Sequence, residues 1–147
     1  MEEISPLTLT LPARLNSLPL LGEQLRHYLA PLALPENWIF MLDLALCEAA
    51  TNIILHGYEQ NLGKSYGVTF SLQGDEVYAS LKDGGEPIPA EQLAAAQVPV
   101  AESSASAMLA ESGRGLRLLY DCVDEVHYQQ GRQENVLTLV KRLPQAV

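Results

Sequence analysis

The stretch from residue 36 to 57, "ENWIFMLDLALCEAATNIILHG", most constrains what this chain can become. Apolar residues return at helical spacing, and Trp38, Leu42, Leu46, Ala49 and Ile53 form one inward stripe of a long helix that Gly57 is placed to end. Glu48 and Asn52 lie one turn apart in that helix, with His56 a turn further on, so the three share a face. Polar groups among Leu, Ala and Ile are costly unless something satisfies them. Two readings fit the pair. Either it is a helix edge that reaches water, or the Asn carbonyl oxygen ligates a hard cation such as Mg²⁺ with the Glu beside it as a base.

The rest of the chain is organised around this helix. Residues 4 to 11 alternate as a strand, and helical spacing runs from about 17 to 30 before "APLALPEN" breaks it. "SYGVTFSLQGDEVYASLKD" is two alternating segments around a turn, a hairpin signal. Residues 90 to 112 hold one short helix near 90 to 96 and otherwise little periodicity, as expected of a functional lid. A further helix follows from "GRGLRLLYDCV", and two strands across a Gly-containing turn close the chain. Few helices and paired strands predict an α+β fold, a two-layer sandwich with a mostly antiparallel sheet and helices on one face. The length of 147 residues suits one domain spanning 1–147.

Composition narrows the function. Eighteen acids against nine bases give a charge of −9, which argues against a general nucleic-acid or anionic-membrane binder. No run reads as the roughly 20 apolar residues of a membrane span, and "MEEISPLTLT" has no secretion-signal order, so a cytoplasmic protein is expected. Cys47 and Cys122 lie in apolar helical patterns and read as small buried thiols.

Two glycine-rich motifs accompany the Glu–Asn pair. "LKDGGEPIP" follows a strand directly. It reads as a tight turn, or as a strand-end carboxylate, Asp83, that accepts from a ligand amine while Gly85 lets a flat ring approach. In "ESGRGLRLLYDCV", Gly113 and Gly115 flank Arg114 where a helix begins, a flexible entry turn or a phosphate site. "GKS" at 63 to 65 is no P-loop, because Tyr58 stands where that pattern needs Gly.

With these motifs in order, the sequence resembles the GHKL (Bergerat-fold) ATPase and kinase superfamily, and within it the anti-sigma-factor serine/threonine protein kinases. "CEAATNIILHGY" resembles the family's N box, "KDGGEPI" its adenine-binding box and "SGRGLRLLYDCVDEVHY" its second glycine box. The resemblance implies Mg·ATP as cofactor, with Asn52 on Mg²⁺, Glu48 as base for a protein serine hydroxyl and Asp83 on the adenine amine. Gly85 would then pack the base, Gly113, Arg114 and Gly115 would hold phosphate, and residues 90 to 112 would form the ATP lid. It also implies an antagonist protein as substrate, a sequestered partner such as a sigma factor, and a homodimer. A non-catalytic ATP-binding switch module is the alternative, since no Lys or Arg lies between Pro87 and Gly113. His56 reads as a pocket residue or a structural histidine, and Arg117 as a solvated helix residue.

Overall fold

A computed structural model describes residues 4–59, 61, 63–97 and 111–145, with the backbone alone for 111–114. Strand β1 (Leu7–Pro12) leads through a 3₁₀ turn into helix α1 (Leu18–Leu29), and helix α2 begins at Glu36. The hairpin β2 (Ser65–Gln73) and β3 (Glu76–Asp83) follows, then helices α3 (Ala90–Gln97) and α4 (Glu111–Cys122), and finally β4 (Glu125–Gln130) and β5 (Asn135–Arg142). The expected element order holds. Of the expected lid, 90–97 is helix α3 and residues 98–110 lie outside the described residues.

The sheet is antiparallel throughout in the order β1-β2-β3-β5-β4, so β5 inserts between β3 and the edge strand β4. Alternation sends Tyr66, Val68, Phe70, Val77, Ala79, Leu81, Leu137 and Leu139 to one face, where each is buried against the helices. The other face carries hydroxyl pairs, Thr8 with Thr69 and Ser80 with Thr138, both at 3.1 Å. The fold is therefore the two-layer α+β arrangement that the pattern predicts. The hairpin turns at Gly74, whose φ of +62° lies in the region glycine occupies without strain.

Helix α2 is the central helix of the second layer. It runs from Glu36 to Asn52 and continues through a π-helical turn, Ile53–Gly57. Leu42, Leu46 and Ala49 are buried as the stripe predicts. Trp38 sits at the rim instead, donating its indole N–H to the Arg142 carbonyl at 2.8 Å. Contrary to expectation, Glu36–Gly57 is long and apolar enough to cross a membrane, with 22 residues and a mean hydropathy of 1.6. Half of its most apolar window is buried in the core, which explains its composition.

A polar seam fixes α1 on α2. Arg26 binds Asp43 at 2.5 Å and Glu36 at 2.8 Å, and Gly22 opposite leaves room for the Asp43 carboxylate. The Cys47 thiol donates to Asp43 at 3.3 Å; burial first, and then the Asp43 charge, push its pKa up to about 12, so it stays protonated. Cys122 is buried and Cys47 half-buried.

Candidate functional site

Strand β3 ends at Asp83, which stands opposite Asn135 in the β3–β5 register. Both are buried polar residues, 9% and 3% exposed. Asp83 Oδ1 accepts from the Gly85 amide at 2.9 Å and from the Asn135 side-chain amide at 3.2 Å. Asn135 also donates to the Gly85 carbonyl at 2.9 Å. Burial raises the Asp83 pKa above 3.8, and these two N–H donors oppose that rise.

The segment from Gly84 to Ile88 is a strap whose amides are all accounted for. The Gly84 amide donates to the Tyr58 hydroxyl at 2.6 Å and that of Gly85 to Asp83. The Glu86 amide donates to the Gly57 carbonyl at 2.7 Å and that of Ile88 to the Tyr128 hydroxyl at 2.9 Å, while Pro87 has no N–H. Tyr58 in turn donates to the Ser65 carbonyl at 2.9 Å. The strap lies so close to the end of α2 that a Cβ on Gly85 would sit 2.3 Å from the Gly57 carbonyl oxygen.

One turn earlier on α2, the half-buried Glu48 meets α4. A Cβ on Gly115 would lie 2.6 Å from Glu48 Oε2, so the glycine accommodates the carboxylate. Gly113, Arg114 and Gly115 lie in α4, which is described from Glu111.

Two spaces adjoin Asn52. The inner one, about 10 Å³, is lined by Ala49, Asn52, Ile53, Asp83, Glu86, Ile88, Tyr128 and Leu137. It admits roughly one water. The outer groove, about 300 Å³, is lined by Asn52, His56, Glu59, Glu86, Pro87, Ile88, Pro89 and Gln92. Asn52, Glu86 and Ile88 border both and form the partition between them. The groove's described lining carries two carboxylates, Glu59 and Glu86, and no Lys or Arg. A phosphate chain in the groove thus calls for a divalent cation. Among the described residues no cluster of three or more His, Cys, Asp or Glu could hold a metal by itself. A carboxamide oxygen completed by waters and phosphates is the donor set Mg²⁺ accepts, and Asn52 supplies one.

The structure thus brings Asn52 and Asp83 to one cavity wall and Glu48, one turn before Asn52 on the same face of α2, to Gly115. Gly85 does not line the inner cavity. Its missing side chain is required by the Gly57 backbone. His56 is exposed and lines the groove. Arg117 is not solvated: its side chain is 19% exposed, donates to the Ala96 carbonyl at 3.0 Å and pairs with Asp121 at 3.0 Å, tying α3 to α4. The residues missed in the sequence are Asn135, Tyr58 and Tyr128. Strand alternation places Asn135 on the inward face with Leu137 and Leu139, a signal available before any coordinates.

Residues 11–141 match the family model described as histidine kinase-like ATPase domain. An anti-sigma F factor of Anoxybacillus flavithermus is 28% identical over 103 residues, 69% of this chain and 68% of that one. The serine-protein kinase RsbW of Bacillus cereus is 23% identical over 137 residues, 93% and 85% of the two chains. Among solved structures, the chain with the RsbU and RsbW domains of Rv1364c from Mycobacterium tuberculosis is similar over 95% of this chain, with a TM-score of 0.67 and 26% identity. The present chain spans 32% of that longer one. A chain of the SiaB–SiaC complex from Pseudomonas aeruginosa is 16% identical over 91% of this chain and 88% of its own, with a TM-score of 0.63, and supports the fold. With a five-stranded antiparallel sheet under its helices and the family model spanning most of its sequence, this chain belongs to the GHKL-type histidine kinase-like ATPase domain family.

Proposed function

We propose that the protein is a Mg·ATP-dependent serine/threonine protein kinase of the anti-sigma-factor type, which phosphorylates a small antagonist protein and sequesters a regulatory partner such as a sigma factor. The observation that carries this reading is the placement of Glu48 against Gly115, one turn before Asn52 on the wall it shares with Asp83. Nucleotide binding alone gives no reason for a carboxylate beside the glycine box. The relatives named as serine-protein kinases and as an anti-sigma F factor add support at 23–28% identity.

In this reading Asp83 accepts from the adenine amine, and Asn52 together with phosphate oxygens and water holds Mg²⁺. The cation supplies charge neutralisation in a groove whose described lining is acidic. Glu48 takes the proton of a serine hydroxyl as its oxygen bonds to the γ-phosphorus, the β–γ bridge breaks, and ADP leaves. The backbone N–H groups around Gly113, Arg114 and Gly115 receive phosphate oxygens. Entry of the base widens the inner cavity at the partition of Asn52, Glu86 and Ile88. Glu86 is exposed and the least restrained of the three.

Glu48→Gln tests the base role. ADP affinity should stay within about twofold while phosphate transfer to a cognate antagonist falls by about 10²–10⁴. An unchanged transfer rate removes Glu48 from the chemistry. The second reading, a switch module that holds nucleotide without transferring phosphate, is favoured by the acidic groove and by the absence of Lys and Arg between Pro87 and Gly113. Nucleotide binding by the wild type without label transfer to any antagonist would select it.

A further inference from the structure

We propose that Asn135 is the positioning residue that sets the base preference of this site, by engaging one oxygen of Asp83 and leaving the other as a single fixed acceptor for the ligand. The proposal rests on the nucleotide reading above and goes beyond it, because Asn135 belongs to none of the three motifs.

The geometry assigns the amide unambiguously. Asn135 reaches the Asp83 carboxylate at 3.2 Å and the Gly85 carbonyl at 2.9 Å. Both are acceptors, so the NH₂ group must face them and both of its hydrogens are used. Asp83 Oδ1 receives a second donor, the Gly85 amide at 2.9 Å. Oδ2 has no partner among the described residues, and Asp83 lines the inner cavity. A ligand there meets one carboxylate oxygen held in place from behind by two donors, the Gly85 amide and the Asn135 side chain, which are themselves joined.

This arrangement distinguishes donors from acceptors. An exocyclic amine, as on C6 of adenine, matches the free oxygen. A carbonyl in the same place, as on C6 of hypoxanthine, sets acceptor against acceptor and leaves both unpaired, a large penalty in a buried site. The discrimination lasts only while Asp83 is ionised. A proton could enter only at Oδ2, since Oδ1 already accepts twice, and it would turn the acceptor into a donor. Burial favours that proton, and the Asn135 and Gly85 N–H groups hold it off. The other titratable groups lining the cavity are Glu86 and Tyr128; the residues supplied by α2 (Ala49, Asn52 and Ile53) and by β5 (Leu137) do not titrate. No described lining residue is a Lys or Arg that could take over from Asn135.

The test compares ADP with IDP, in which a carbonyl replaces the C6 amine and N1 carries a hydrogen, by calorimetry on the full chain with Mg²⁺ at pH 7.5 and pH 6. The wild type should prefer ADP by at least about tenfold. Asn135→Leu, similar in size but without donors, should bring the ratio towards one, with ADP losing more than IDP and with ADP affinity more pH-dependent than in the wild type. Asn135→Thr keeps one hydroxyl donor on a strand-compatible side chain and should recover part of the preference. Equal weakening of both nucleotides with an unchanged ratio, in Asn135→Leu or in Asn135→Thr should the former not fold, would make the residue merely structural and overturn the proposal. Equal affinities in the wild type would overturn it while leaving the nucleotide reading intact. A wild type that binds neither nucleotide ends both.

Discussion

The carboxylate of Glu48 and the α-carbon of Gly115 are in contact across the α2–α4 interface: a methyl group on Gly115 would lie 2.6 Å from Oε2. Gly115→Ala should therefore cost about 1–3 kcal/mol through overpacking against a half-buried side chain. In a Glu48→Ala background the same substitution should stabilise by about 0.5–1 kcal/mol, because the obstructing group is gone and Ala replaces Gly within a helix. Chemical denaturation of the four proteins measures this coupling. Additive costs would show that the two residues do not press on each other.

Removing the Asn52 carboxamide should abolish the Mg²⁺-dependent part of nucleotide binding. Ligand at a hundred times its dissociation constant stabilises a protein by about 2.7 kcal/mol. In Asn52→Ala the thermal shift with Mg·ATP should fall to that of the wild type with ATP and EDTA. A full shift in the variant contradicts the assignment.

Asp83 couples stability to pH with a definite sign. Its folded pKa lies above the ordinary 3.8, so the folded state holds a proton that the unfolded chain has already released. The associated stability is complete below 3.8 and is lost as pH rises through the folded value. Asp83→Asn keeps an oxygen for the Gly85 amide and for Asn135 but carries no charge. It should be as stable as the wild type or more so at pH 7, with the difference between the two vanishing in acid, and it should lose nucleotide. Thermal melts from pH 3 to 7 with and without ADP check both. A variant less stable than the wild type across the whole range, or one that keeps its ADP shift, would contradict the account.

The two neighbouring glycines of the strap should behave differently. Gly85→Ala places a carbon 2.3 Å from the Gly57 carbonyl oxygen, and backbone on both sides has little room to move. A loss above about 3 kcal/mol, or failure to fold, is expected. At Gly84 the nearest atom is 3.3 Å away, so Gly84→Ala should cost less than about 1 kcal/mol. Equal effects on yield and melting temperature would refute the close approach.

What was legible in the sequence is what lies within one element. The period of residues 36 to 57 gave the α2 stripe, and it placed Glu48 and Asn52 on one face. Alternation around Gly74 gave the hairpin. Partners that meet only after folding were hidden. Nothing near Asn135 says that Asp83, 52 residues earlier, will stand opposite it, and nothing in "HGY" says that the Tyr58 hydroxyl will receive the Gly84 amide. The close approach at Gly85 was hidden for the same reason, since the Gly57 carbonyl that excludes a side chain there comes from another element. Arg117 looked solvated because its acceptor, the Ala96 carbonyl, belongs to a different helix.

The fully bonded strap between Asp83 and Ile88 bears on the thermodynamics of occupancy. A wall ordered before its guest arrives has little conformational freedom left to surrender, so the entropic penalty of association falls on the side chains of the partition, chiefly Glu86. Calorimetry should then register nucleotide capture as displacement of the partition's side chains against an unmoved strap, with the small heat-capacity change of limited apolar burial rather than the large one of a segment folding around its guest.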